Sequence, residues 1–274
     1  AYVLFRFYEI PQRDRADSIS INTNTQSAVK ARDLRSNSKQ VLKLKKAYEA
    51  KYSNGFFATK RGEAIPADKD KQYCIELSYL GKNLTAWYMQ RPNLSYGETK
   101  IFDKYFNTLF KNDYLPEDAY ALSFWMRRIM DSWTQENPLG LEEELLTMKA
   151  YAPYHLLFAI SMVFAKCNNQ TNVPSPSECL KVASENNLVD SIINIAANCL
   201  NSAISAEKNN CEQNNRSFIP QNWVKNKSCN AGIMSAIQNY FSFLPTMNKE
   251  MDSKLKNGVK IDSKYFSYRV QAED

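Results

Sequence analysis

Hydrophobic and polar positions alternate at the start of the chain, then recur at helical spacing almost to its end. In "AYVLFRFYEI", Val3, Phe5 and Phe7 alternate with Leu4, Arg6 and Tyr8, which predicts a strand ended by Pro11. "DRADSISINTNTQ" can form a short helix opened by Asp14, weakened at its end by Asn22, Thr23, Asn24 and Thr25. A clearer helix follows, with Asn37 and Gln40 as a capping box and Val41, Leu44 and Tyr48 as its apolar stripe. Asn54-Gly55 stops it, and "GFFATKRGE" reads as extended.

Beyond Pro66 the spacing predicts one helix after another. Leu77, Leu80, Leu84 and Trp87 form one apolar face, which Pro92 closes. Ile101, Phe102, Tyr105, Phe106, Leu109 and Phe110 form a second, and Leu122, Met126, Ile129 and Trp133 a third. The segment 141–166 must bend or break near Pro153. Ser175-Pro176-Ser177-Glu178 combines a cap, a first-turn proline and an acid at the third position, a strong helix start. Val189, Ile192, Ala196 and Leu200 continue the series, and Ile233, Ile237, Tyr240, Phe241 and Leu244 end it before Pro245. The expected fold is mainly α: a multi-helical domain over 67–274, preceded by a short α/β segment over 1–66 that carries a basic helix. A chain that starts at Ala1, already inside a strand pattern, reads as a domain or product of a longer protein.

Composition narrows the function classes. With 274 residues, 44% of them hydrophobic, the chain can bury a sizeable core. The longest apolar run, "HLLFAISMVFA", is well short of the roughly 18–20 residues a membrane span needs, so no membrane partner is expected. The six cysteines are scattered without a CxxC pair and read as reduced, buried thiols, consistent with a cytoplasmic protein. Seven glycines, with no GxxxxGK[ST] or GxGxxG, leave little room for a phosphate-binding loop. The single histidine, His155, lies in an apolar helix and reads as a buried structural residue. Asp252 with Lys254 and Asp262 with Lys264 are the only compact Asp-x-Lys triplets, and they sit in a polar tail. No complete set of nucleophile, base and metal ligands can be assembled, so no catalytic residue, metal site or cofactor is assigned.

Charge placement is the most informative feature. Residues 1–61 hold 13 Lys+Arg against 5 Asp+Glu, whereas the rest of the chain holds 22 against 24. Lys39, Lys43 and Lys46 recur at helical spacing opposite Val41, Leu44 and Tyr48, and residues 34–48 contain no acid. Arg32 and Arg35 lie just upstream, and Lys60 and Arg61 add a second basic pair. Such a face is simply solvated, or meets nucleic acid, where lysines give salt-sensitive, sequence-independent affinity for phosphates, or meets an acidic protein or lipid. Asn24 and Gln26 supply hydrogen-bonding groups without charge, either for a ligand or for the turn before Arg32, where Asp33 ties one of the arginines.

At these residues the sequence resembles the AIPR family, the bacterial abortive phage infection proteins. The resemblance rests on Asn24, Gln26, Val29, Asp33, Leu34, Arg35, Ser36 and Asn37, then on Lys60, Arg61 and Gly62. "AWYMQRP" at 86–92 and "YFNTLF" at 105–110 extend it to about residue 112. Where family members commonly carry Tyr-Glu before the Lys-Arg-Gly segment, this chain has Phe57 and Ala58, so a role needing that carboxylate is not served here. The resemblance implies an antiphage function and an upstream, nuclease-like or α/β region of the same protein as partner. Nucleic-acid binding or regulation of an effector domain is the expected contribution. The rival expectation is a helical sensor or scaffold that binds a phage protein or forms a homo-oligomer without touching nucleic acid.

Overall fold

The computed structural model describes residues 30–110, 116–167, 173–247 and 253. The expected first strand, the helix after Asp14 and the polar tail with its Asp-x-Lys triplets lie outside the described residues. Among those described, twelve α-helices and one two-stranded sheet are present, so the fold is mainly α with a short α/β segment.

The chain enters through α1 (Ala31–Arg35) and α2 (Lys39–Lys51). The capping residue of α2 is Ser38, one position later than the Asn37 expected from sequence. Ser38 is extended, at φ −65° and ψ 150°, and its hydroxyl accepts from the Val41 amide at 3.4 Å. A serine caps as well as an asparagine does, and the turn closed by the Ser38 amide on Arg35 O leaves Asn37 outside the cap.

The segment after Gly55 is extended for three residues only. Strand β1 (Phe56–Ala58) pairs in parallel with β2 (Cys74–Glu76), in the register Phe56 to Cys74, Phe57 to Ile75 and Ala58 to Glu76. Between them, Thr59–Glu63 turns tightly. The Glu63 carboxylate accepts from the Thr59 and Lys60 amides at 2.8 and 3.1 Å, and Gly62 takes φ +68°, where a β-carbon would be strained. Both central strand residues, Phe57 and Ile75, are buried.

Helix α3 (Leu77–Trp87) continues directly from β2 and buries the expected Leu77, Leu80, Leu84 and Trp87. The second predicted face resolves into two short helices, α4 (Glu98–Phe102) and α5 (Phe106–Leu109). The amides of Lys104 and Tyr105 both turn back to the Lys100 carbonyl at 3.0 Å, which ends α4 and re-aims the chain. α4 presses closely on α3: a β-carbon on Gly81 would lie 2.8 Å from the Phe102 ring, so only glycine allows this approach.

α6 (Pro116–Ser132) and the one-turn α7 (Glu143–Leu146) lead to α8 (Ala152–Cys167). The expected break falls before Pro153, which sits in the first turn of α8, where its missing N–H leaves no intrahelical bond unmade. α8 is apolar nearly all round and buried, the pattern of a central helix. It packs against α3, α6, α10 (Val189–Gln213) and α12 (Lys227–Met247). α9 (Pro176–Glu185) starts where expected, with the Ser175 hydroxyl accepting from the Glu178 amide, and the one-turn α11 (Pro220–Trp223) joins α10 to α12. The α12 backbone stays helical to Met247, past the Pro245 expected to end it.

One contiguous apolar cluster runs from Val41 on α2 to Ile237 on α12. α2 is tied to it by stacked rings: Tyr52, Tyr73 and Tyr120 lie with pairwise centroids 5.1–5.4 Å apart, joining α2, the turn before β2, and α6. No helix among the described residues is long and apolar enough to cross a membrane. His155 is buried, with Nδ1 3.3 Å from Tyr151 O, and burial pulls its pKa down to about 4, so the ring is neutral at ordinary pH. It is a core residue, as its apolar helix implied. None of the six cysteines forms a disulfide, and Cys179, Cys199, Cys211 and Cys229 are buried.

Candidate nucleic-acid interface

The basic positions separate into two sets that the sequence runs together. The first set stands on α2. With 100° per residue, Lys39, Lys43 and Lys46 fall within an arc of about 60° on the helix surface. Val41, Leu44 and Tyr48 occupy the opposite side and are buried. All three lysines are exposed, and none has a carboxylate partner among the described residues. Like charges at i, i+4 on an isolated helix cost a few tenths of a kcal/mol, so the ridge is a mild liability for folding and needs tertiary packing to hold it. That packing comes from Tyr48, whose hydroxyl donates to Tyr73 O at 2.8 Å.

The other two lysines of α2 are engaged. Lys45 reaches Glu63 at 3.4 Å and Glu49 at 3.7 Å, with its ammonium 4.7 Å from the Phe56 ring centroid. Burial works to raise the Glu63 pKa, but the Lys60 and Thr59 amides and the Lys45 ammonium outweigh it and hold the carboxyl below its ordinary range. Lys51 pairs with Glu117 at 2.9 Å. The acids that neutralise α2 therefore meet Lys45 and Lys51, on either side of the apolar stripe, and leave the ridge uncompensated among the described residues.

The second set is built into the fold. Arg32 is 5% exposed; its Nη1 donates to Glu76 Oε1 at 3.0 Å, and Nη2 lies 3.6 Å from Asp33 Oδ1. Asp33 thus does sit against one of the arginines. Arg35 donates from Nε to the Phe102 carbonyl at 3.1 Å and lies over the Phe106 ring at 4.7 Å, so its guanidinium clamps α4 and α5. Ser36, also buried, closes α1 by donating to Asp33 O at 2.7 Å. These two arginines anchor the segment that presents the ridge.

Lys60 and Arg61 are exposed in the turn after β1, and their side chains have no partner among the described residues. Lys60 borders a cleft beside the sheet rather than the ridge. Asn24 and Gln26 lie outside the described residues. The residues that sequence reasoning missed are Glu76, which holds Arg32, and Glu63, which holds Lys45. Each acts across a fold-dependent separation, 44 positions for Glu76, that no local pattern announces. Among the described residues no group of three His, Cys, Asp or Glu side chains could hold a metal ion.

The Arg32–Glu76 pair gives a direct test of that division. Glu76→Ala leaves a guanidinium with Nε and Nη2 already lacking hydrogen-bond partners and no carboxylate but Asp33. Because Glu76 is half-exposed, the expected loss is about 2–3 kcal/mol, below that for a fully buried pair. Arg32→Met, which removes the buried charge instead, is expected to change stability by less than about 1 kcal/mol. Urea unfolding of both variants measures this; a larger loss for Arg32→Met than for Glu76→Ala would contradict the structural role.

Fold and surface together define a mainly helical protein with a lysine ridge on an amphipathic helix that the aromatic core holds in place. A family model described as AIPR protein matches residues 1–216, and the chain belongs to the AIPR family. The match runs well beyond residue 112, through α9 and α10, so most of the helical part belongs to it as well. The family places the chain in abortive infection, a form of antiphage defence. No curated protein and no solved structure matches the chain.

Proposed function

We propose that the chain contributes nucleic-acid binding, or regulation through it, to the effector step of abortive-infection defence. The observation that carries this reading is the ridge: Lys39, Lys43 and Lys46 share one exposed face, without a neutralising acid among the described residues, on a helix whose remaining lysines are all paired. Three amines on one face suit the regular spacing of backbone phosphates, and they give affinity without base readout. Lys60 and Arg61 stand apart from the ridge in the β1 turn and add to the positive field on this side of the sequence. Arg32 and Arg35 serve by fixing α1 and the start of α2.

The test is fluorescence anisotropy with labelled duplex and single-stranded oligonucleotides across a salt series. Three phosphate contacts predict a slope of log K against log[salt] of about −2.7 for duplex and about −2.1 for single strands. For duplex this is about a 40-fold loss of affinity between 50 and 200 mM salt. A flat salt profile, or no binding at low salt, would overturn the reading.

A second reading, a sensor that docks a phage protein or a second copy of the chain, is favoured by Leu34 and Leu42. They are 69% and 47% exposed next to the basic face. Apolar docking of that kind is insensitive to salt, so the same titration, repeated with a protein partner, separates the two.

A further inference from the structure

A cleft of about 400 Å³ lies beside the two-stranded sheet, floored by Asn83 of α3 and walled by Arg127 of α6. It falls within the size range of small-molecule sites, about 300–1,000 Å³. Its carboxylates are largely spoken for. Glu63 is bound by two backbone amides and Lys45, and Glu76 by Arg32. The cations lining it have no carboxylate partner: Lys60 and Lys71 make no side-chain hydrogen bond or ion pair among the described residues, and Arg127 donates from Nη1 to the Ser123 hydroxyl at 2.8 Å and lies 5.9 Å from the Tyr120 ring centroid. Against these three charges stands Asp131, so the uncompensated field in the cleft is positive.

Two further groups point beyond a bare anion. Tyr79, 55% exposed at the rim, offers a ring to stack on, with the Lys82 ammonium 5.6 Å from its centroid. Asn83 is 3% exposed, and its Oδ1 has no hydrogen-bond partner, while its amide nitrogen is 3.5 Å from Leu122 O. A buried acceptor left unpaired is costly unless a ligand donor completes it. A phosphate for the cations, a planar ring for the tyrosine and a donor for the amide oxygen are the parts of a nucleotide whose base carries an exocyclic amine.

We propose that this cleft binds a nucleoside phosphate, with Lys60, Lys71 and Arg127 on the phosphate, Tyr79 against the base and Asn83 reading its amine. None of the three ridge lysines lines the cleft, so the inference does not depend on the ridge.

Isothermal titration of the whole chain with AMP, CMP, GMP, UMP, adenosine and inorganic phosphate tests it. Saturable binding of at least one amine-bearing monophosphate is expected, about tenfold or more tighter than either adenosine or inorganic phosphate. Lys71→Gln combined with Arg127→Gln is expected to weaken it by about tenfold or more. Tyr79→Ala, at an exposed position, is expected to weaken it while the melting temperature of the free protein stays unchanged. A 5′-phosphorylated tetranucleotide compared with free monophosphate distinguishes a strand end from a free nucleotide as the source, and tighter binding of either supports the site. The proposal is overturned if no monophosphate binds at millimolar concentration, if inorganic phosphate binds equally well, or if the folded Tyr79→Ala protein binds as the parent does.

Discussion

Asp118→Ala is expected to cost the fold about 3–5 kcal/mol, the largest single-site loss of stability among the polar residues. Asp118 is 5% exposed in the first turn of α6. One of its oxygens accepts from the Ser175 hydroxyl at 2.8 Å, the Ser177 hydroxyl at 2.6 Å and the Ser177 amide at 3.2 Å, and the other from the Tyr88 hydroxyl at 3.3 Å. The carboxylate thus sits at the N-terminus of its own helix and at that of α9, where two helix dipoles favour negative charge. Alanine removes that charge and takes the shared acceptor away from four donors, of which the Ser175 and Ser177 hydroxyls, 2.9 Å apart, can still pair with each other. Asp118→Asn keeps one acceptor oxygen and is expected to lose about half as much. Urea denaturation at unchanged m-value measures the difference. A loss below about 1 kcal/mol for Asp118→Ala would show that the network is dispensable.

The second large effect is on binding. Replacing Lys39, Lys43 and Lys46 together by Glu exchanges three attractive charges for three repulsive ones on the same face. The expected loss of nucleic-acid affinity is about two orders of magnitude or more at low salt, because each lost phosphate contact also forfeits its counterion release. Stability should hardly move, since all three side chains are exposed and unpaired among the described residues, and three glutamates repel one another on the helix about as the three lysines do, a matter of a few tenths of a kcal/mol. Reversing Lys100 and Lys104, two other exposed lysines, sited at α4, is the control for a mere change in net charge and is expected to have a much smaller effect.

The helices were readable wherever one short-range rule decided them. α9 begins at Ser175-Pro176 because the cap, the fixed proline φ and the third-position acid all lie within four residues. α3 and α6 show their buried faces at helical spacing. Strand β2 was not readable: three residues, Cys74–Glu76, are too short to show an alternation, and their extended state depends on pairing with β1. The division into α4 and α5 was hidden because both pieces send Ile101, Phe102, Phe106 and Leu109 into one core. Proline misled in one direction only, at Pro245, where the expected stop did not occur.

At the site, the lysine face could be read from spacing, because exposure on a helix follows from the position of the apolar stripe. The fate of the arginines could not. Arg32 and Arg35 look as available as the lysines in sequence, yet their partners, Glu76 and the Phe102 carbonyl, are 44 and 67 positions away. Local charge density shows where cations are concentrated, and only the tertiary fold shows which of them remain unpaired.

The most direct measurement for the ridge compares salt dependence in the parent and in the Lys39→Gln, Lys43→Gln, Lys46→Gln triple variant, on the same duplex. If the three amines each neutralise a phosphate, the slope of log K against log[salt] becomes shallower by about 2.7 in the variant. Equal slopes in the two proteins would contradict the account, whatever their absolute affinities.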